Sequence, residues 1–119
     1  MGGMCHAHEY FRYLAALERR LKLSLKNVLE SCSLKISAKK PREAVLGDLV
    51  ITQLILERLI NVREKLYGVE ARKKVEKLLD DVRRKILDLE EADGWKEIST
   101  IYAEVENFLS RCSSFLKIL

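Results

Sequence analysis

At 119 residues, with 48% apolar and 34% charged side chains, the chain reads as one domain spanning residues 1–119, large enough for a hydrophobic core without disulfide or metal support. A net charge of +4 and a pI near 9.0 permit nucleic-acid binding without arguing for it. No apolar run approaches the roughly 18 residues that cross a bilayer, and three cysteines without a CxxC pair exclude a disulfide framework.

These features lead us to expect a soluble cytoplasmic protein with free thiols, no leader peptide and no membrane contact. Ala, Leu, Glu, Lys and Arg dominate, the mixture of long helices. Gln53, Asn27, Asn61 and Asn107 are the whole supply of side-chain amides, which points to a thermophilic source.

The first predicted helix covers about residues 6–36. Its apolar stripe is Ala7, Tyr10, Leu14, Leu17, Leu21, Leu25, Val28 and Cys32. The start, MGGMCHAHEYF, gathers Cys5, His6, His8 and Glu9. On a helix His6 and His8 point about 160° apart, so they cannot hold one ion. Cys5, His8 and Glu9 share a face, but Arg12 stands on its next turn and no fourth ligand is in sight. No metal is therefore assigned. Opposite the stripe, Arg12, Arg19 and Lys26 recur every seven residues with Lys22 on their flank. They form a basic ridge about 20 Å long, which could follow a phosphate backbone. No aromatic residue interleaves the ridge to stack on bases.

A break at SAKKPR carries Pro41, which suits a first helical turn. The second helix, about 42–66, is apolar well past half its circumference, whereas one core-facing stripe needs about a third. The surplus predicts self-association or a protein partner docking through Leu46, Val50 and Leu54. Gly68 is expected to close this helix in the left-handed conformation, although a glycine costs a helix only about 1 kcal/mol, so one helix of about 50 residues stays open.

The third helix, about 69–91, has the stripe Val75, Leu78, Val82, Ile86 and Leu89 on an otherwise charged surface. Glu70 to Lys74, Asp80 to Arg84 and Asp81 to Lys85 are its expected supporting pairs. Asp93-Gly94 ends it, and the fourth helix, about 95–118, carries Ile98, Ile101, Val105, Phe108, Cys112, Phe115 and Leu119 in steps of three and four. Breaks this short make neighbouring helices antiparallel. The expected fold is an all-α, up-down-up-down four-helix bundle, with Cys32 and Cys112 too far apart to bridge.

Bundle enzymes leave recognisable residues, and they are missing. No histidine lies beyond residue 8, which excludes paired Glu-x-x-His metal motifs and the arginine-then-histidine motif of small helical ribonucleases. Glu76, Asp80 and Glu91 fall on one side of the third helix, but Lys77 and Arg84 stand among them. No catalytic residue and no cofactor is assigned. The sequence predicts a non-enzymatic interaction or assembly protein acting through its second helix, with nucleic-acid binding by Arg12, Arg19, Lys22 and Lys26 as the alternative.

Overall fold

The computed structural model describes the backbone of residues 2–32 and 42–118 and the side chains of residues 8–32 and 42–111. Four α-helices account for it: α1 (Gly2–Cys32), α2 (Arg42–Tyr67), α3 (Val69–Glu91) and α4 (Trp95–Ile118). No strand occurs among the described residues. Helix α1 begins four residues before the expected start, and the segment 33–41, where its end was expected, lies outside the described residues.

The helices pack as a ring in which α1 touches α2 and α4, and α3 touches α2 and α4. The result is a rod of 58 × 22 × 22 Å, its length set largely by α1, which alone spans about 46 Å at 1.5 Å per residue. Contacts between α1 and α2 run in opposite senses along the two helices. Tyr10 meets Lys65, Ser24 meets Thr52 and Ser31 meets Asp48, so the pair is antiparallel. Arg72 with Glu64 and Arg83 with Glu57 step away from Gly68 in the same manner, folding α3 back along α2.

The core joins the expected stripes to the inner side of α2: Leu14, Leu17, Leu21, Leu25, Val28 and Cys32 from α1, Val45, Leu49, Leu56, Leu59, Ile60 and Val62 from α2, Val75, Leu78, Val82, Ile86 and Leu89 from α3, and Ile101 and Val105 from α4. Tyr10, Ile98 and Phe108 pack at its edge. Ala7, Cys112, Phe115 and Leu119 lie outside the described side chains. Leu79, Tyr102 and Leu109 also enter the core, because each sits one position beside a stripe residue and faces a second neighbouring helix.

Gly68 does break the chain, and α2 and α3 are separate helices. Its amide donates to the Glu64 carbonyl at 2.9 Å, closing the last turn of α2. The expected left-handed cap is not what forms. With φ 90° and ψ −173°, Gly68 occupies a region essentially closed to any other residue. The reason is directional: reversing α3 along α2 within a single residue needs an extended ψ, which a left-handed cap does not supply. At the other end, Gly94 also has positive φ, its carbonyl accepts from the Ile98 amide, and Glu97 accepts the Asp93 amide to cap the start of α4. Arg42 donates to the Ala92 carbonyl at 2.8 Å, tying the start of α2 to the end of α3.

Candidate interaction surfaces

The apolar surplus of α2 divides between two sides. Val45, Leu49, Leu56, Leu59, Ile60 and Val62 are buried, and Leu46, Ile55 and Leu66 are half-buried at the edges of the core. What remains outside is compact: Val50, Ile51 and Leu54 are 41, 53 and 54% exposed on adjoining turns. Of the three residues expected at an interface, Val50 and Leu54 lie on this bare face, whereas Leu46 packs against the core. Ile51 completes the face, and its place among the apolar residues of α2 is the signal that finds it. Gly47 sits on the same side, and a Cβ built there meets nothing within 4 Å.

The charges that border this face, Glu43 and Arg58, form no ion pair among the described residues, and both are exposed. Helix α3 contrasts with this. None of its three expected i,i+4 pairs forms among the described residues. Instead Arg72 bridges to Glu64 and Glu76, Arg83 reaches Glu57, Lys73 pairs with Glu70, and Lys85 pairs with Asp88 and Glu104. Three of these pairs reach a neighbouring helix, and the Arg72–Glu64 and Arg83–Glu57 pairs are solvent-exposed, so each adds little to stability.

The basic ridge is fully displayed. Arg12, Arg19, Lys22 and Lys26 are all exposed, as is His8, and no ion pair holds the four cations among the described residues. Leu23, 63% exposed, lies among them. Residues 1–41 hold eight Lys/Arg against three Asp/Glu and the remainder fourteen against fifteen, but three of the eight lie in segment 33–41, so α1 itself holds five against three.

Cys5 and His6 lie outside the described side chains, and among the described residues no three His, Cys, Asp or Glu side chains converge as a metal site. Glu76 is held by Arg72, and Asp80 lines a small groove with Glu57, Arg72 and Arg83, so these acids serve α2–α3 packing. An open groove of about 660 Å³ between α3 and α4 is lined by Asp88, Glu91, Glu97 and Glu104 with Lys96.

Four buried polar groups escape an apolar-stripe reading. Thr52 donates to the Asp48 carbonyl at 2.9 Å and lies 2.6 Å from Ser24 across the α1–α2 interface. Ser31 donates to the Asp48 carboxylate at 3.1 Å. Arg63 is buried, its guanidinium 5.5 Å from the Tyr67 ring centroid, and its Nε has no hydrogen-bond partner among the described residues. All four lie on core-facing positions, which is the signal that marks them. Cys32 is likewise sealed: burial, with lesser contributions from Glu106 and Asp48, pushes its thiol up to about 12. A neutral thiol in such a place acts as a small apolar side chain.

Among the described residues the fold and its surfaces define a small all-α helical bundle with a bare apolar face on α2 and an exposed basic face on α1. Compared with known proteins, the chain matches no family model, no curated protein and no solved structure. Among the described residues no helix is long and apolar enough to cross a membrane.

Proposed function

We propose that this chain is a non-enzymatic assembly protein that associates through the outer face of α2. One observation carries the reading: Val50, Ile51 and Leu54 stand in water on a helix whose opposite side already supplies the core. Three adjoining large aliphatic side chains form a patch of roughly 300 Å², the scale at which exposed apolar surface marks an interaction site. Of the other exposed large apolar residues, Phe11 and Tyr67 meet edge to face at 6.2 Å near Val69, where the α2–α3 turn lies, and Tyr13, Leu23, Leu87 and Trp95 stand elsewhere on the surface. A reducing cytoplasm suits the buried Cys32 thiol, and the cross-helix ion-pair network on α3 suits a thermophilic source. The test is a native purification followed by light scattering on the wild type and Leu54→Glu. An oligomer that the substitution converts to folded monomer supports the reading, and an oligomer unchanged by it refutes it.

The row of four exposed cations along α1 favours a second reading, a nucleic-acid-binding subunit using Arg12, Arg19, Lys22 and Lys26. Exposed along the helix axis, with Arg12, Arg19 and Lys26 about two turns apart, these cations would contact phosphates rather than bases. Reversing Arg12, Arg19 and Lys26 to glutamate should abolish salt-sensitive binding to duplex DNA or RNA. Binding that survives the triple change would remove this reading.

A further inference from the structure

The bare face of α2 also carries a pattern that selects its occupant. At 100° per residue, Glu43, Gly47, Val50, Ile51, Leu54 and Arg58 fall within an arc of about 100°. Along the axis they are placed symmetrically. Glu43 and Arg58 each lie about 11 Å from the midpoint between Val50 and Ile51, and Gly47 and Leu54 each lie about 5 Å from it. Opposite charges therefore mirror each other across the midpoint, as do the smallest and one of the largest side chains of the face. All but Gly47 are side chains that stand exposed, and the two charged ones have no ion-pair partner among the described residues.

We infer that a second copy of this chain docks here, α2 against α2 and antiparallel about a two-fold axis passing between Val50 and Ile51. The inference rests on the assembly reading above and specifies its partner and register. In that register Ile51 meets the partner's Val50, Leu54 enters the notch at the partner's Gly47, and Arg58 pairs with the partner's Glu43, each contact occurring twice. The notch is real space, since a Cβ at Gly47 would meet nothing of its own chain within 4 Å. Pairs about 11 Å from the axis stay in reach only if the helices cross at a shallow angle, so the packing belongs to the class near 20° rather than 50°.

Charge and size both favour a like partner over an unrelated one. A foreign helix would have to supply an acid, a base and a small residue at matching offsets, whereas a copy supplies them by symmetry. The stretch from Glu43 to Arg58 is about 23 Å long. With its rims it offers roughly 500–600 Å² per partner, the lower end of specific interfaces. The dimer is accordingly reversible, and its equilibrium belongs in the micromolar range.

Sedimentation equilibrium of the full chain from about 1 to 200 µM tests the register. Glu43→Lys and Arg58→Glu each place like charges together twice per dimer and should each raise the dissociation constant about tenfold. The double variant Glu43→Lys/Arg58→Glu should return to the wild-type value. Mixed in equal amounts, the two single variants should prefer each other to themselves. Gly47→Leu should weaken association while leaving the monomer's melting temperature unchanged or higher, because the added side chain enters open space and a glycine leaves the helix. If Leu54→Glu dissociates the oligomer but the charge pairs show no rescue, the register is wrong and the assembly reading stands. If the wild type is monomeric throughout, or Leu54→Glu is without effect, both fall.

Discussion

Replacing Thr52 by valine removes one hydroxyl from the α1–α2 interface while keeping the side chain's shape, and the structure sets what that should do. The Thr52 hydroxyl is fully buried and has a single proton, directed at the Asp48 carbonyl 2.9 Å away. Ser24 must then donate its own proton to Thr52 across the 2.6 Å gap. Thr52→Val therefore leaves the Ser24 hydroxyl buried without its acceptor, a loss of about 1–3 kcal/mol. Ser24→Ala removes one donor and leaves Thr52 still bonded to Asp48, so it should cost only about 0.5–1.5 kcal/mol. The double variant Ser24→Ala/Thr52→Val has no orphaned hydroxyl between the helices and should lie close to the Ser24→Ala value. Urea unfolding of the four proteins closes a double-mutant cycle, with an expected coupling of about 1 kcal/mol or more. Strict additivity would show that the two hydroxyls do not depend on each other, and the assignment of donor and acceptor would be wrong.

The Cys32 thiol should impose a pH dependence on stability. Its folded pKa is raised from 9.0 to about 12. Its contribution is therefore intact below pH 9 and falls above it by up to about 1.4 kcal/mol per unit, because only the unfolded chain releases the proton. Cys32→Ala should flatten that fall between pH 8 and 10 in urea titrations, and parallel curves for the two proteins would refute it. Gly68→Ala forces a β-carbon into φ 90°, ψ −173° and should destabilise by about 1–3 kcal/mol in the same assay. A loss below about 0.5 kcal/mol, the scatter of surface substitutions, would mean that α2 and α3 join differently. Tyr102 keeps its hydroxyl fully buried without a partner among the described residues. Tyr102→Phe should consequently be neutral or stabilising by up to about 1 kcal/mol, and a clear loss would reveal a hydrogen bond to that oxygen.

Four helices, their order and the core stripes of α1 and α3 follow from local pattern alone. Leu14, Leu17, Leu21, Leu25 and Val28, or Val75, Leu78, Val82, Ile86 and Leu89, recur at the helical period, and such side chains have one way to leave water together. The two positive-φ glycines, Gly68 and Gly94, mark the breaks because backbone sterics act residue by residue. The excess of apolar residues on α2 was equally visible, since a count needs no coordinates.

What the fold alone decided depends on neighbours distant in sequence. Which part of α2 stays bare was such a matter: Leu46 turned inward and Ile51 outward because α1 and α3 claim particular sides of that helix. Arg72, Arg83 and Lys85 pair with Glu64, Glu57 and Glu104 on neighbouring helices, partners that no spacing within α3 reveals. Ser24 and Thr52, 28 residues apart, could be matched only once the register of α1 against α2 existed. Periodicity is a property of one helix at a time, whereas pairing, notches and orphaned hydroxyls belong to the space between helices, and that space exists only after they have packed.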